Sequence, residues 1–449
     1  MPINHVILLM LENRSFDHLL GATPGVNGVD HAAPRSNIYN GATYKQEPGA
    51  GRNVCPDPRH EWEHVVAQIA DHNGGFVADF ARSYPNAGPD QYREIMRYHD
   101  HGSLKALHTL ADNFTVCDRW YAPVPGPTWT NRLFAMSGTS LGRVAMPEGP
   151  LAWNLHWYSQ STIFDRLNEV AKEWRVYFGD FPLSFLLVNQ WKPENVARHH
   201  HMREFFVDVR GKAKDFPSFV FIEPQYFSPG ANDDHPPHDI HSGDVLIADV
   251  YNALRKNDEL WQESLLVILH DEHGGFYDHE PPVAMVPPDS NHGDGCDFTI
   301  SGLRVPAVLI SPYAARGVNS TQFDHTSLLK YLIDMWNLGP LYNRTAKANS
   351  IAGALSPKPR LDQTPTFIQI DPIPALEAPA NCDRLSRNQS AIVALSHALE
   401  TTIDEDLATV AARSKYMLSS AQSHVDVAID RVESFIAKLS AKAVKIVKS

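Results

Sequence analysis

The sequence predicts an α/β fold built on a largely parallel sheet, and three observations predict it. Short, branched apolar runs alternate with longer amphipathic stretches as far as about residue 339. Two of the runs, His5–Leu11 and Leu265–Leu269, are almost wholly apolar, as strands covered on both faces are. Both runs stop abruptly at polar residues, and ligands of open α/β sheets gather beyond the carboxyl ends of the strands. The sequence therefore predicts a site where these two strands end.

The first predicted strand is followed by Glu12, Asn13, Arg14 and Ser15. Carboxylate and amide oxygens, which Glu12 and Asn13 carry, are the ligands preferred by hard cations such as Ca²⁺ and Mg²⁺. As an alternative, Asn13 or Ser15 caps the next helix by accepting a backbone N–H. Either interpretation leaves Glu12 available to a metal.

The second of these strands is followed by Asp271 and Glu272, then by His273 and two glycines. Adjacent acids raise each other's pKa and cost energy unless a cation or a proton neutralises them. A divalent metal would do so. The alternative is an acidic strand end that leads into a solvated Gly-Gly loop.

A third segment offers a nucleophile. Three prolines and a glycine precede Thr128 in PVPGPTWTNRL, and a helical pattern then continues through Met136. Such a rigid turn would hold the Thr128 hydroxyl at a helix N-terminus, where the helix dipole and free N–H groups favour an alkoxide or a bound phosphate. Taken alone, Thr128 also fits a plain helix cap.

These three segments, in this order, resemble the phosphoesterase family that contains bacterial non-haemolytic phospholipases C and related acid phosphatases. The resemblance covers about residues 3–340 and is carried by HVILLMLENRSFDHLLG, CPDPRHEWEHVVAQIADHNGGFVADF, PVPGPTWTNRLFAMSGT, STIFDRLNEVAKEWRVYFGD, NDDHPPH and DEHGGFYDH. It implies a three-layer α/β/α domain of the alkaline-phosphatase-like type. It also implies hydrolysis of phosphate esters through a phosphorylated Ser or Thr.

The resemblance implies a metal site at the positions found above. Its ligands would be Glu12, Asn13, Asp271 and Glu272, with Thr128 as both nucleophile and fifth ligand. The cofactor would be a divalent ion, and Ca²⁺, Mg²⁺ and Zn²⁺ all stay open. A metal-bound Thr128 would attack phosphorus and form a phosphothreonine that water then hydrolyses.

The family's phosphate-facing histidines map to His60 and His235, and also to His200 and His201 in the run RHHHM. They would donate to phosphoryl oxygens and protonate the leaving alcohol. A neighbouring acid in DDHPP can fix the tautomer of His235, for which a surface turn is the alternative. For His200 and His201 the alternative is a solvated patch.

The pair Asp271-Glu272 and the threonine nucleophile resemble the phospholipase branch of the family more than the acid phosphatase branch. The sequence thus favours metal-dependent hydrolysis of phosphoric esters of the phospholipase C type, on a phosphate ester or phospholipid substrate. A broad acid phosphatase acting on monoesters is the alternative. From another class, a non-catalytic, metal-stabilised binding protein is possible, but the intact site residues oppose it.

Composition restricts which binding partners and which cellular compartment are expected. The net charge of −13 opposes broad nucleic-acid binding, because a polyanion would be repelled. The 4 cysteines are far apart without C-x-x-C spacing, so buried or free thiols are expected, with a disulfide if the protein is exported. No signal peptide and no apolar run near 20 residues is visible. The expected compartment is the cytoplasm, or the exterior if the chain is a mature form.

The predicted organisation is a catalytic domain over 1–356, a proline-rich strap or linker over 357–387 and a helical appendage over 388–449. Near the end, apolar residues spaced by three or four predict an amphipathic helix: Val425, Ile429, Val432, Ile436 and Leu439. Lysines accompany its end: Lys438, Lys442, Lys445 and Lys448. This helix could pack on the catalytic domain or on its own neighbour. It could also form a homodimer, or make peripheral contact with an anionic membrane.

Overall fold

The computed structural model describes residues 3–146, 157–227, 229–374, 376, 382, 385–404, 431 and 434–438. The strands are β1 (His5–Leu11), β2 (Ser36–Tyr39), β3 (Ala42–Lys45), β4 (Glu47–Pro48), β5 (Arg97–Tyr98), β6 (Thr115–Cys117), β7 (Trp120–Tyr121), β8 (Trp174–Phe178), β9 (His199–His201), β10 (Phe219–Glu223), β11 (Ser264–His270), β12 (Ala307–Ile310), β13 (Gly317–Asn319) and β14 (Phe323–Asp324).

The helices are α1 (Phe16–Leu20), α2 (Trp62–Gln68), α3 (Ala70–Asn73), α4 (Phe76–Ser83), α5 (Pro89–Glu94), α6 (Lys105–Asn113), α7 (Thr128–Ser137), α8 (Ile163–Glu169), α9 (Pro193–Val196), α10 (Met202–Asp208), α11 (Ile240–Arg255), α12 (Asp258–Gln262), α13 (His325–Trp336), α14 (Asn343–Lys347) and α15 (Arg387–Asp404). Short 3₁₀ turns lie at Leu183–Leu186, Val188–Trp191, Ala213–Asp215 and Ile351–Ala354.

A central sheet organises the catalytic domain, with the strand order β13-β6-β12-β11-β1-β10-β8-β9. β1 lies between β11 and β10 and runs parallel to both, whereas β12 runs antiparallel to β11 and β6. Every residue of β1, β10 and β11 is buried, so other elements cover both faces of the sheet at its centre. The α/β fold predicted from the uninterrupted apolar runs is confirmed.

The register of β1 and β11 creates the site. Leu11 is paired with His270, so the next residues, Glu12 and Asp271, leave the sheet side by side. The Asp271 N–H still donates to the Leu11 carbonyl at 3.1 Å, which prolongs the pairing by one step. Polar residues that are far apart in sequence therefore meet at one edge of the sheet.

One predicted strand is shorter than expected. The apolar run from Arg304 to Ile310 in the sequence predicts a strand, but only Ala307–Ile310 forms one. Pro306 has no N–H to give to a ladder, and Arg304 makes only an isolated bridge to Tyr121. Apolar residues spaced by three and four predict a helix over His325–Trp336, and the structure has it with those bounds.

The proline-rich segment runs over the catalytic domain, and its described part, 357–374 and 376, contains no helix or strand. Buried Ile368 exchanges two backbone hydrogen bonds with the Asn252 side chain of α11, at 2.8 and 2.9 Å. Arg360 donates to the Ala314 carbonyl at 3.2 Å. The segment is therefore an extended strap held by side-chain contacts.

Part of the predicted C-terminal helical region is described. Phe435 is buried, and its ring centroid lies 5.4 Å from Phe185 and 6.0 Å from Trp191 of the catalytic domain. Most of the amphipathic pattern and the terminal lysines lie outside the described residues, so the dimer and membrane interpretations stay predictions. Across the described ranges, no helix combines the length and apolarity needed to cross a membrane.

The structure contains both kinds of cysteine that the sequence allows, namely buried free thiols and a disulfide. Cys117 and Cys296 are buried free thiols, as expected. Cys55 and Cys382 form a disulfide that joins the loop before α2 to the segment before α15. This bond ties the end of the strap to the catalytic domain.

Candidate active site

Three buried carboxylates, Glu12, Asp271 and Glu272, stand where β1 and β11 end, and we call them the strand-end acids. Their exposed fractions are 0%, 0% and 1%. Asp271 Oδ1 accepts the backbone N–H groups of Asn13 at 3.1 Å and of Glu272 at 2.7 Å. Glu272 Oε2 accepts the Gly274 N–H at 2.7 Å. The loop backbone thus orients two of the three acids.

Asn13 occupies the turn between β1 and α1 with a φ of 56°, a left-handed conformation that Asn tolerates better than most residues. Gly274 packs directly against it. A Cβ on Gly274 would lie 2.1 Å from the Asn13 carbonyl oxygen, and the φ of Gly274 is +65°. The first glycine after the second strand is therefore required by the close approach of the two loops that carry the acids.

Ser15 resolves the alternative of a helix cap. Its hydroxyl accepts the His18 N–H and caps α1, so the cap and the ligand interpretations apply to different residues of the same turn. The cap falls on Ser15. Asn13 is left with its side chain in the site.

Thr128 is the first residue of α7 and follows the N-cap residue Pro127. The turn before it is held by Asn131, whose side chain accepts the Val124 N–H at 3.0 Å and donates to the Gly126 carbonyl at 2.8 Å. The Thr128 hydroxyl donates to Asn13 Oδ1 at 3.4 Å. The structure thus brings the candidate nucleophile to the strand-end acids.

Arg132 was missed in the sequence analysis, although it lies on the same face of α7 as Thr128, four residues later. Its side chain is fully buried. Nε donates to Asp271 Oδ2 at 3.1 Å, and Nη2 lies 3.3 Å from Glu12 Oε1. Nη2 also donates to the Met10 carbonyl at 3.1 Å. Burial lowers the pKa of Arg132, but Tyr226 and the two acids raise it above its usual value, so Arg132 stays a cation between these acids.

One cation among three acids leaves the site electrostatically unbalanced. Burial raises the pKa of Glu12 well above its usual range; Arg132 opposes the rise and Asp271 adds to it. Burial raises the pKa of Glu272 to about 8, with repulsion from Asp271 adding to the effect. Within the described part of the chain, Glu272 Oε1 accepts no hydrogen bond. An unpaired oxygen in a set of carboxylate, amide and hydroxyl oxygens fits a hard divalent cation.

His60 lies directly beside this set. Its Nε2 is 3.0 Å from Asn13 Nδ2 and 3.9 Å from Glu272 Oε1. Its Nδ1 is 2.8 Å from the Pro58 carbonyl, which only an N–H can satisfy, so Nε2 of the neutral ring accepts from the Asn13 amide. This arrangement turns the amide oxygen of Asn13 toward Thr128.

His235 faces the same space, with its ring centroid 5.8 Å from that of His60. Its Nδ1–H donates to the Pro236 carbonyl at 2.5 Å, and its Nε2 lies 3.8 Å from Asp57 Oδ2. Burial, together with the nearby rings of His60 and His238, holds the pKa of His235 well below its usual range. The ring is therefore neutral and its Nε2 is able to accept a proton.

The other two predicted histidines are placed elsewhere. His200 and His201 belong to β9, which stands three strands from β1, a separation of about 14 Å. His200 Nδ1 bonds Glu204 Oε2 at 2.7 Å, and the His201 ring packs on Phe178 with centroids 4.6 Å apart. The structure does not bring this pair to the strand-end acids, and the role given to it stays a prediction.

A second acidic group lies nearby, and we call Asp17, Asp278, His279 and Arg304 the Arg304 cluster. Ligand atoms of the two acids and the histidine lie within 4.8 Å of one another, a spacing at which a metal could be held. Here the guanidinium of Arg304 is the cation that the two acids bind, because it donates to Asp17 Oδ1 and to Asp278 Oδ1, both at 2.9 Å. His279 Nδ1 lies 2.8 Å from Asp17 Oδ2. This cluster is a satisfied ion network.

The C-terminal segment reaches the site through Asn388, which the sequence analysis missed. The Asn388 Nδ2 donates to both carboxylate oxygens of Glu12, at 3.0 and 2.9 Å. Its Oδ1 accepts the Trp129 Nε1–H at 3.0 Å. The contact joins residues 376 positions apart, so no local sequence pattern could indicate it.

A sheet whose strand ends gather a threonine hydroxyl, buried carboxylate and amide oxygens and two histidines has the groups that metal-assisted hydrolysis of a phosphate ester needs. The Phosphoesterase family model matches residues 3–339. Non-specific phospholipase C6 of Arabidopsis thaliana is 33% identical over 436 residues, covering 89% of this chain and 81% of the relative. Phospholipase C B of Mycobacterium tuberculosis H37Rv is 29% identical over 428 residues, covering 81% and 77%. The chain belongs to the Phosphoesterase family and is a hydrolase of phosphoric ester bonds.

Solved structures are similar at a lower level. The lipoteichoic acid synthase LtaP from Listeria monocytogenes matches with a TM-score of 0.38 and 9% identity, covering 79% of this chain and 76% of that one. A protein of the alkaline phosphatase superfamily from Vibrio parahaemolyticus matches with a TM-score of 0.33 and 12% identity, covering 55% and 65%.

Proposed function

We propose that this chain is a phospholipase C that cleaves the phosphodiester bond of phospholipids with Thr128 as the nucleophile. The proposal is carried by the position of the Thr128 hydroxyl, which lies 3.4 Å from Asn13 Oδ1. Asn13 belongs to the same loops as three buried acids, whose negative charge Arg132 neutralises only in part. The substrate class is supported by relatives named as phospholipases C from a plant and a bacterium.

The residues that would hold a divalent metal ion are Glu12, Asn13, Thr128, Asp271 and Glu272. When bound, such an ion would neutralise the acids, lower the pKa of the Thr128 hydroxyl and supply positive charge to the phosphoryl oxygens. The all-oxygen set favours a hard ion such as Ca²⁺ or Mg²⁺ over Zn²⁺, which more often takes nitrogen or sulfur ligands.

In the first half-reaction the Thr128 oxygen bonds to phosphorus while the bond from phosphorus to the diacylglycerol oxygen breaks. The hydroxyl proton passes to a neutral histidine Nε2, and from there to the departing diacylglycerol oxygen. His235 presents an Nε2 that carries no proton in the neutral ring and has no hydrogen-bond partner among the described residues. Nε2 of His60 accepts from the Asn13 amide, so His60 is the second candidate for this transfer. Thr128 is left carrying the phosphate and the lipid headgroup.

In the second half-reaction a water molecule attacks the same phosphorus. Its proton moves to the histidine Nε2, the bond between phosphorus and Thr128 breaks, and the threonine oxygen recovers the proton. Burial keeps the pKa of His235 low, so the ring is neutral at pH 7 and its Nε2 lone pair is free for this proton. The phosphorylated headgroup leaves, and the enzyme returns to its starting state.

The test is hydrolysis of p-nitrophenylphosphorylcholine beside p-nitrophenyl phosphate, by the wild type and by Thr128→Ala, after chelation and after return of Ca²⁺, Mg²⁺ or Zn²⁺. We expect diester cleavage that needs added metal and falls at least about 10³-fold in Thr128→Ala. Acid quenching during turnover should leave the phosphorylated headgroup on the peptide that contains Thr128, detected by mass spectrometry.

Thr130→Ala is the matched control, because Thr130 lies on the same helix and donates to the Arg143 carbonyl instead. It should retain activity within a few fold. A preference for the monoester would move the assignment to an acid phosphatase. Undiminished activity of Thr128→Ala would refute the nucleophile.

A further inference from the structure

We propose that Asn388, at the start of α15, is a positioning residue for the metal ligand Glu12, so that the C-terminal helix forms part of the catalytic site. The inference rests on the proposed function, because it takes Glu12 as a ligand. It adds a residue from beyond the region that the Phosphoesterase family model matches, which ends at residue 339.

The hydrogen-bond pattern fixes the orientation of the Asn388 amide. Trp129 Nε1 can only donate, so the atom that it meets at 3.0 Å must be the amide oxygen. The amide nitrogen is then directed at Glu12, where it lies 3.0 and 2.9 Å from the two carboxylate oxygens. Asn388 thereby links the ligand on β1 to the residue that follows the nucleophile on α7.

A neutral donor is well suited to this position. Glu12 is fully buried, and a buried carboxylate without partners costs several kcal/mol. Asn388 reduces that cost by hydrogen bonding but adds no positive charge. Asn388 therefore leaves the negative charge that a bound cation would neutralise, and a single nitrogen hydrogen-bonded to both oxygens leaves other lone pairs on each of them.

The start of α15 is held in place by further contacts. Gln389 donates to the Tyr226 carbonyl at 2.7 Å and lies 3.1 Å from His238 Nε2. Six residues before Asn388, Cys382 is bonded to Cys55 in the loop that leads to His60. Asn388 is 2% exposed, so the start of α15 covers it against the domain. The helix must be docked for the contact to exist.

The experiment measures Ca²⁺ affinity directly, by titration calorimetry on the full-length chain and by the Ca²⁺-dependent rise in Tm. We expect Asn388→Ala to weaken binding by about 10- to 100-fold, the usual effect of losing a partner of a metal ligand. Diester hydrolysis should fall at limiting Ca²⁺ and recover largely at saturating Ca²⁺. In the background of Glu12→Gln, adding Asn388→Ala should weaken Ca²⁺ binding no further.

Ser396→Ala is the matched control, because Ser396 is also buried in α15 but donates only to the Val393 carbonyl of its own helix. It should leave Ca²⁺ affinity unchanged. If Asn388→Ala does not fold, Trp129→Phe keeps an aromatic side chain and removes the donor that fixes the amide, and a smaller loss of affinity is expected.

Three results separate the possible failures. Unchanged Ca²⁺ affinity in Asn388→Ala, or an equal loss in the Ser396 control, would overturn the positioning role while leaving the proposed function intact. A further loss in the Glu12→Gln background would show that Asn388 does not act through Glu12. A wild type whose activity is indifferent to chelation would refute the metal site itself, and the role of Asn388 with it.

Discussion

The acids of the two clusters come from the same two segments of the chain, residues 12–17 and 271–278, and the clusters differ in how this charge is balanced. The strand-end acids present three carboxylates to one guanidinium, that of Arg132. The Arg304 cluster presents two carboxylates to a guanidinium and to a histidine whose pKa is raised. Proximity of acids therefore does not identify a metal site. What identifies it is the charge left over after the protein's own cations are counted.

The largest expected effect comes from removing one strand-end acid. Glu272→Gln should reduce diester hydrolysis at least about 10³-fold and weaken metal binding, because a ligand charge is lost. In chelator at pH 8 the same variant should unfold at equal or higher denaturant concentration than the wild type. The reason is that burial raises the pKa of Glu272 to about 8. At this pH, a buried Glu272 therefore destabilises the metal-free folded state relative to the unfolded state, and Gln does not.

Denaturant unfolding followed by circular dichroism, with and without chelator, gives the measurement. A Glu272→Gln protein that is clearly less stable than the wild type in chelator would mean that Glu272 supports the fold, as in the Arg304 cluster. The distinction between the two clusters would then be lost.

The next effect belongs to the Arg304 cluster. Arg304→Met should lower the free energy of unfolding by about 3 kcal/mol, because it leaves Asp17 and Asp278 buried without their cation. Ca²⁺ affinity of the folded variant should be unchanged. Arg93→Met, which breaks an exposed pair with Asp90, is the control and should cost less than about 1 kcal/mol. A loss of Ca²⁺ binding in Arg304→Met would show that the two clusters are coupled.

The smallest effect is a pH dependence within the Arg304 cluster. Burial lowers the pKa of His279, but its hydrogen bond to Asp17 and the charges of Asp17 and Asp278 outweigh this, so the pKa lies above the usual 6.5. A histidine with a raised folded pKa contributes stability fully below 6.5 and loses it as the pH rises through the folded value. His279→Gln should therefore remove on the order of 1 kcal/mol of stability below pH 6.5, and the difference from the wild type should shrink as the pH rises through the folded pKa of His279. The measurement is the free energy of unfolding, from denaturant titrations at pH values from below 6.5 to above the folded pKa. If this free energy changes with pH equally in the wild type and the variant, the ion pair between His279 and Asp17 is contradicted.

The sequence was sufficient to predict those parts of the fold and the site that depend on residues close together in the chain. Leu265–Leu269 and His5–Leu11 were identifiable as buried strands from their apolar runs, and the acids that follow them were placed by the rule for strand ends. Arg132 had a usable signal in its four-residue spacing from Thr128. Asn388 had none, because its contact depends on how a distant helix docks.

The histidine run is a case in which a strong sequence signal did not locate the site. RHHHM is conspicuous in sequence, yet β9 is an edge strand whose side chains are engaged locally. His199 bonds Ser184 and the Asn195 carbonyl, and His200 bonds Glu204. A run of one residue type along a strand alternates between faces, so spacing alone could not say which histidine meets the substrate. Position within the sheet decides the matter, and only the structure supplies it.

The disulfide between Cys55 and Cys382 also determines how the protein would respond to proteolysis. The strap between residues 357 and 376 exposes Leu361 fully and Phe367 by 53%, which makes it a natural target for a protease. A single cut there would leave two polypeptides that are still covalently joined through the cysteine pair. The nicked protein would run as one band on a non-reducing gel and as two after reduction. Limited digestion followed by this comparison would therefore show whether a loss of activity reflects a broken chain or a departed C-terminal fragment.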